Sequence, residues 1–132
     1  MLSLPREMLD QVLAHARRDH PDECCGVIAG RDGVVTRVFE MDNAERSPTG
    51  FTFDSGQWLR VYRALDDAHE EPLVVYHSHT ATEAYPSRTD VLWSKNTEFG
   101  HWLLVSTRDD SDEVRSYVIT DGDVVEEPLT VT

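Results

Sequence analysis

The sequence predicts an α/β domain in which a mixed, curved β-sheet is flanked by helices, and three observations carry that expectation. Apolar residues recur at helical spacing in two separate segments. Short apolar runs bounded by turn residues stand between and after those segments, and hairpin signals lie near both ends of the chain. Helices and strands intermingled in this way suit a mixed sheet better than a purely parallel one.

Taken in order, Met8, Leu9, Val12, Leu13 and Ala16 share one helical face after Ser3 and Pro5, which suit a helix start, and the helix ends before Pro21. Cys24 to Ala29 is a short apolar run, Gly30-Arg31-Asp32-Gly33 supplies a turn, and Val34 to Phe39 reads as the returning strand of a hairpin. Asp42 to Gly50, rich in Asn, Ser, Pro, Thr and Gly, reads as a loop leading to the short stretch Phe51-Thr52-Phe53. Asp54 is placed to cap a second helix whose expected inner face is Trp58, Leu59, Tyr62 and Leu65, and which must stop before Pro72. Leu73 to Tyr76 follows as a buried strand, then a loop from Ser78 to Pro86. Ser87 opens a short helix, Trp102 to Ser106 and Val114 to Thr120 are strands, and Asp121-Gly122 makes a last turn. Order is expected throughout, save near the termini.

With 132 residues, the chain is long enough for one core and too short for two, so residues 1–132 are expected to form a single domain. Twelve Lys and Arg stand against 25 Asp and Glu, a formal charge of -13 that would repel a phosphate backbone, so nucleic acid is excluded as the expected partner. A solvated acidic surface is the first reading of that charge, attraction to a basic protein the second. No basic region followed by a long apolar run opens the chain, and no apolar run is long enough to span a bilayer; a cytoplasmic protein without a membrane partner is expected. The two cysteines, Cys24 and Cys25, are adjacent, which makes a disulfide between them geometrically implausible.

The chemistry concentrates in His77-Ser78-His79, directly after the apolar strand, and in Ser87-Arg88-Thr89-Asp90 after an intervening loop. If extended geometry continues through His79, a side-chain period of two puts both imidazoles on one face and Ser78 on the other. Asp90, brought back by the loop, would then be a third ligand, leaving one tetrahedral position open, as in a catalytic rather than a closed zinc site. Each residue also has an ordinary role: a histidine at a strand end is commonly a surface or hydrogen-bonded residue, and Ser87 with Asp90 fits a helix capping box.

The combination resembles the JAMM (MPN+) metalloprotease signature, in which a distant Glu precedes His-x-His, seven residues and Ser-x-x-Asp, and it meets that spacing without departure. Upstream, Pro21-Asp22-Glu23-Cys24-Cys25-Gly26 resembles the family's first strand, where the catalytic Glu sits just before a Cys-Gly pair. The resemblance implies the JAMM/MPN fold, which is cytidine-deaminase-like, and one catalytic Zn2+ on His77, His79 and Asp90. It also implies Glu23 as the catalytic acid/base, and the mechanism expected for such a site has the Ser87 hydroxyl donating to the developing oxyanion. Within the family the chain is most similar to bacterial hydrolases that release cysteine from a small ubiquitin-like sulfur-carrier protein ending in Gly-Gly. The likeness includes His20 to Glu23, Asn43-Ala44-Glu45-Arg46-Ser47-Pro48, Tyr76 to Val91, Leu104 to Asp109 and Arg115-Ser116-Tyr117. Family members that cut ubiquitin chains carry an added segment after the metal motif. Here only Val91 to His101 separates Asp90 from the next strand, which implies little action on such chains.

Other readings compete. An isopeptidase that removes a ubiquitin-like protein from target proteins would use the same machinery. A non-haem iron oxygenase would use the same two histidines and carboxylate but leave Glu23 and Ser87 without roles. A non-catalytic scaffold of this fold would bind a protein partner only. A thiol nucleophile at Cys24 or Cys25 lacks a paired base; alternation instead puts Cys25 on Glu23's face as a small apolar wall, with Cys24 opposite. His15, His20, His69 and His101 fit no ligand spacing and are read as surface or capping residues, and Trp58, Tyr62 and Phe99 as core.

Overall fold

In the computed structural model, residues 1–97 and 99–132 are described. The elements are β1 (Leu2–Leu4), α1 (Arg6–Asp19), β2 (Cys25–Arg31), β3 (Val34–Met41), α2 (Ser55–Ala68), β4 (Glu71–His79), α3 (Arg88–Ser94), β5 (His101–Ser106), β6 (Glu113–Thr120), β7 (Asp123–Glu127) and β8 (Leu129–Val131). Six strands form one sheet in the order β3-β2-β4-β5-β6-β7. Among the described residues its one parallel pair is β4 with β5, joined by the segment that carries α3, so the sheet is mixed as expected.

The sheet has two covered faces. Val75, Trp102, Leu104, Cys25 and Val27 point to one side, where Val61 and Leu65 of α2 close over them. Val74, Tyr76, Leu103, Val105 and Ile28 point to the other, against Val12 and Ala16 of α1 and Leu2 and Leu4 of β1. That division is the period of two written out along each strand.

Four expectations are corrected. The inner face of α2 is Val61 and Leu65, with Trp58 half-buried, whereas Leu59 and Tyr62 are 49% and 58% exposed. Positions 58, 61 and 65 make one stripe, and Tyr62, turned about 100° further, is left at the solvent edge. The fourth strand is longer than Leu73 to Tyr76 at both ends. It takes in Pro72, which lies where the β2 register shifts between Ile28 and Ala29, an irregularity that accommodates the missing N–H. The chain ends are ordered against each other: Leu2, Ser3 and Leu4 pair in parallel with Leu129, Thr130 and Val131. Finally, His15 is a buried residue of α1, 2% exposed, and not a surface one.

Candidate metal centre

β4 is held between β2 and β5, with Cys25 opposite His77 on one side and Leu104 opposite His77 on the other. Because the strand runs through His79, both imidazoles emerge on the α2 side at its C-terminal end, and Ser78 faces away, its Oγ accepting the Cys24 N–H at 2.8 Å. His77 is fully buried, its ring stacked on Phe51 at 4.6 Å and met edge-on by Trp102.

The third group arrives on the first turn of α3. Ser87 caps that helix: its Oγ accepts the Asp90 N–H at 3.1 Å, and Asp90 Oδ2 accepts the Ser87 N–H at 2.8 Å, a reciprocal capping box. The same Oδ2 lies 3.0 Å from His77 Nε2 and 3.3 Å from His79 Nε2. The capping role and a ligand role therefore coexist in one carboxylate.

Three features show that this cluster fits a metal ion. Donor atoms bonded to a tetrahedral ion at about 2.0 to 2.1 Å stand about 3.3 Å apart, the scale of the separations from Asp90 Oδ2 to the two imidazoles. His79 Nδ1 donates to the Glu83 carbonyl at 3.0 Å, which leaves the Nε2 lone pair directed at the cluster. Burial alone would lower the His79 pKa, yet Asp90, the Glu83 carbonyl and Glu23 raise it, so the surroundings favour a positive charge at this point. In the same way burial would raise the Asp90 carboxyl, but His77, His79 and the Ser87 N–H hold it well below the usual carboxylate range. By distance alone Glu23 could also serve as the carboxylate beside the two imidazoles, since the ligand atoms of Glu23, His77 and His79 all lie within 4.8 Å of one another.

Glu23 differs from Asp90. Its backbone is clasped by the loop after β3: its N–H donates to the Ser47 carbonyl at 2.9 Å, and its carbonyl accepts Asn43 Nδ2 at 3.0 Å. Its side chain, on a residue 5% exposed, has no hydrogen-bond partner among the described residues and lines a cavity of about 220 Å³ with His79, Ser87, Asp90, Gly50 and Trp93. Burial, reinforced by Asp90 and Glu45 and opposed by His79, pushes its carboxyl up to about 8. Such a group takes up and releases protons near neutrality. The Ser87 hydroxyl, which accepts from Asp90, keeps its own hydrogen to donate into the cavity.

All five residues singled out from the sequence thus meet at one place. Asn43 had no assigned role, yet it organises the loop: Nδ2 also donates to the Gly50 carbonyl at 2.8 Å, and Oδ1 accepts from the N–H groups of Glu45 and Thr52. An Asn opening a Gly-containing loop is the available sequence signal, since its side chain can close local turns. Both cysteines are fully buried and free, Cys25 on the site's side and Cys24 on the other. Burial pushes the Cys24 thiol up to about 12 and the Cys25 thiol higher still, which removes the thiolate a nucleophile needs. His20 and His69 do cap helices α1 and α2, and His101 pairs with Glu127 at 2.6 Å.

A buried His/His/carboxylate cluster stands at the end of a central strand, with Glu23 beside it and a cavity in front, an arrangement of the kind a metallohydrolase centre needs. Residues 5–120 match the family described as prokaryotic homologues of the JAB domain, and the chain belongs to that family. The CysO-cysteine peptidase of Mycobacterium tuberculosis is 54% identical, over 99% of this chain and 91% of the relative. A probable TtuB-protein conjugate cleaving protease of Thermus thermophilus is 31% identical, over 95% of this chain and 80% of that one. A solution structure of a protein from Desulfitobacterium hafniense superposes with a TM-score of 0.88 at 30% identity, covering 100% of this chain and 93% of the other. The protein is accordingly an enzyme, a hydrolase of the JAMM metalloprotease type, and not a scaffold that has lost its site.

Proposed function

We propose that this protein is a zinc peptidase that cleaves the amide bond between the C-terminal glycine of a ubiquitin-like sulfur-carrier protein and one appended cysteine. His77, His79 and Asp90 hold the zinc, Glu23 is the general acid/base and Ser87 the oxyanion donor. The observation that carries this reading is the Glu23 carboxyl: buried, unpartnered, raised to about 8, and facing the same cavity as the ligand cluster and Ser87. The relatives named for a carrier-cysteine peptidase and a conjugate-cleaving protease supply the substrate class. No helix among the described residues is long and apolar enough to cross a membrane, and both cysteines are free, which supports a single cytoplasmic domain.

Zinc held by His77, His79 and Asp90 would supply a Lewis acid for the scissile carbonyl and would acidify the attacking water. Glu23 then accepts the proton of the attacking water as the new C–O bond forms. Ser87 Oγ–H donates to the oxygen on which negative charge develops. When the C–N bond breaks, Glu23 passes its proton to the departing amine, so cysteine leaves as a neutral amine plus carboxylate that protonates in water, and no acyl-enzyme is formed.

The test is elemental analysis of the purified protein followed by mass spectrometry of its reactions. One zinc per chain and release of free cysteine from a Gly-Gly-Cys-terminated carrier are expected, with Lys-linked diubiquitin left intact. Chelation should abolish turnover and zinc should restore it. Cleavage of the diubiquitin, or of carrier-lysine conjugates, with the cysteine adduct untouched would instead establish the isopeptidase reading favoured by the conjugate-cleaving relative.

A further inference from the structure

Glu23 lines a second cavity, of about 270 Å³, and it is the one residue common to the linings of the two. Around the second cavity stand Asp19, Asp22, Asp42, Asn43 and Arg46. Resting on the peptidase reading above, we propose that this cavity receives the leaving amino acid and that Arg46 is a specificity residue, binding that amino acid's free α-carboxylate.

The chemistry of the reaction assigns the two sides. The scissile carbonyl must sit with Ser87 and the ligand cluster in the first cavity, and the leaving nitrogen must reach Glu23 to take its proton. What is attached to that nitrogen is therefore directed past Glu23, toward the second cavity. A single C-terminal amino acid carries a carboxylate one carbon from that nitrogen, whereas the lysine of an isopeptide carries there only a methylene chain.

The second cavity matches the ends of an amino acid. Its aspartates can accept from the N–H groups of the departing amine, and Arg46 is the one arginine or lysine that lines either cavity among the described residues. Its guanidinium forms no ion pair or side-chain hydrogen bond among the described residues; Arg60, Arg63 and Arg88 are free in the same way, but none of them lines either cavity. A free guanidinium presents a planar fork that fits a carboxylate through two parallel hydrogen bonds.

Arg46 stands at φ 48 in a turn, with its N–H donating to the Asn43 carbonyl at 3.1 Å. Its neighbour Ser47 receives the Glu23 N–H, and Asn43 holds the Glu23 carbonyl. Arg46 and the acid/base are thereby tied to the same turn.

The experiment compares two substrates on the zinc enzyme: the carrier ending in Gly-Gly-Cys with a free carboxylate, and the same carrier ending in Gly-Gly-cysteinamide. Wild type should cleave the carboxylate form with a kcat/KM about 10- to 100-fold higher, the scale of one hydrogen-bonded charge contact. Arg46→Gln should lose that preference by slowing on the carboxylate substrate alone, and Arg46→Lys should keep part of it. Equal cleavage of both substrates by wild type, or an Arg46→Gln enzyme slowed equally on both, overturns the proposal while leaving the peptidase reading standing. Failure of wild type to cleave either form overturns both.

Discussion

Glu23 and His15 are both buried titratable residues, one at each face of the same sheet, and their surroundings are opposite. On the α1 face, His15 Nδ1 lies 2.7 Å from the Tyr76 hydroxyl and Nε2 lies 3.2 Å from Asp19 Oδ2, so each ring nitrogen has a partner. On the α2 face, Glu23 has no side-chain partner among the described residues, and His77 Nδ1 is buried without one. The Glu23 carboxyl opens onto a cavity in place of a fixed partner, whereas both ring nitrogens of His15 are held. A closed network on one face thus stands against an open group on the other.

The difference should be widest when metal ligands are removed. His77→Ala, His79→Ala and Asp90→Ala should each lose the metal and several kcal/mol of transition-state stabilisation, roughly 1000-fold in kcat/KM or more. Full zinc occupancy in all three variants by elemental analysis would break the ligand assignment. Glu23→Gln should keep its zinc and lose about 100- to 10,000-fold in kcat. Near-normal turnover in that variant would make Glu23 as inert as His15. Ser87→Ala should cost about 100-fold in kcat and, because Ser87 also caps α3, about 1 kcal/mol in a denaturation midpoint; a stability loss with unchanged kcat would leave it only the cap.

On the opposite face the expectation reverses. Tyr76→Phe deprives His15 Nδ1 of its partner and should lower stability by about 1 kcal/mol in urea melts, with kcat/KM within a factor of about three of wild type. A large rate loss there would join the two faces into one functional network. The smallest effect concerns pH. Burial lowers the His15 pKa below 6.5, against the pull of Asp19 and Glu40, so below about pH 6.5 the unfolded chain binds a proton that the folded one resists. His15 therefore reduces stability as pH falls through that window, and its contribution is level above it. Urea midpoints of His15→Gln, measured from pH 7.5 to pH 5, should fall less steeply than those of wild type; equal slopes would show that His15 is not held neutral.

Sequence determined the local periodicities and the spacing of the reactive groups. Alternation along Leu73 to His79 put His77 and His79 on one face, and Ser87-x-x-Asp90 wrote a capping box, because a strand's period and a helix's first turn are properties of neighbouring residues. Those local patterns, together with the resemblance they carry, were therefore enough to identify the family and the fold and to name candidates for the site. Tertiary structure decided everything that depends on which face meets which. Val61 and not Tyr62 turned inward on α2, His15 was buried because Tyr76 and Asp19 were there to satisfy it, and residues 2–4 found residues 129–131 across the whole chain. The two cavities that meet at Glu23 also belong to the tertiary level, since their walls come from loops far apart in sequence. Contacts between distant residues pay a chain-closure entropy that local pattern does not record, so only the packed structure reveals which of them form.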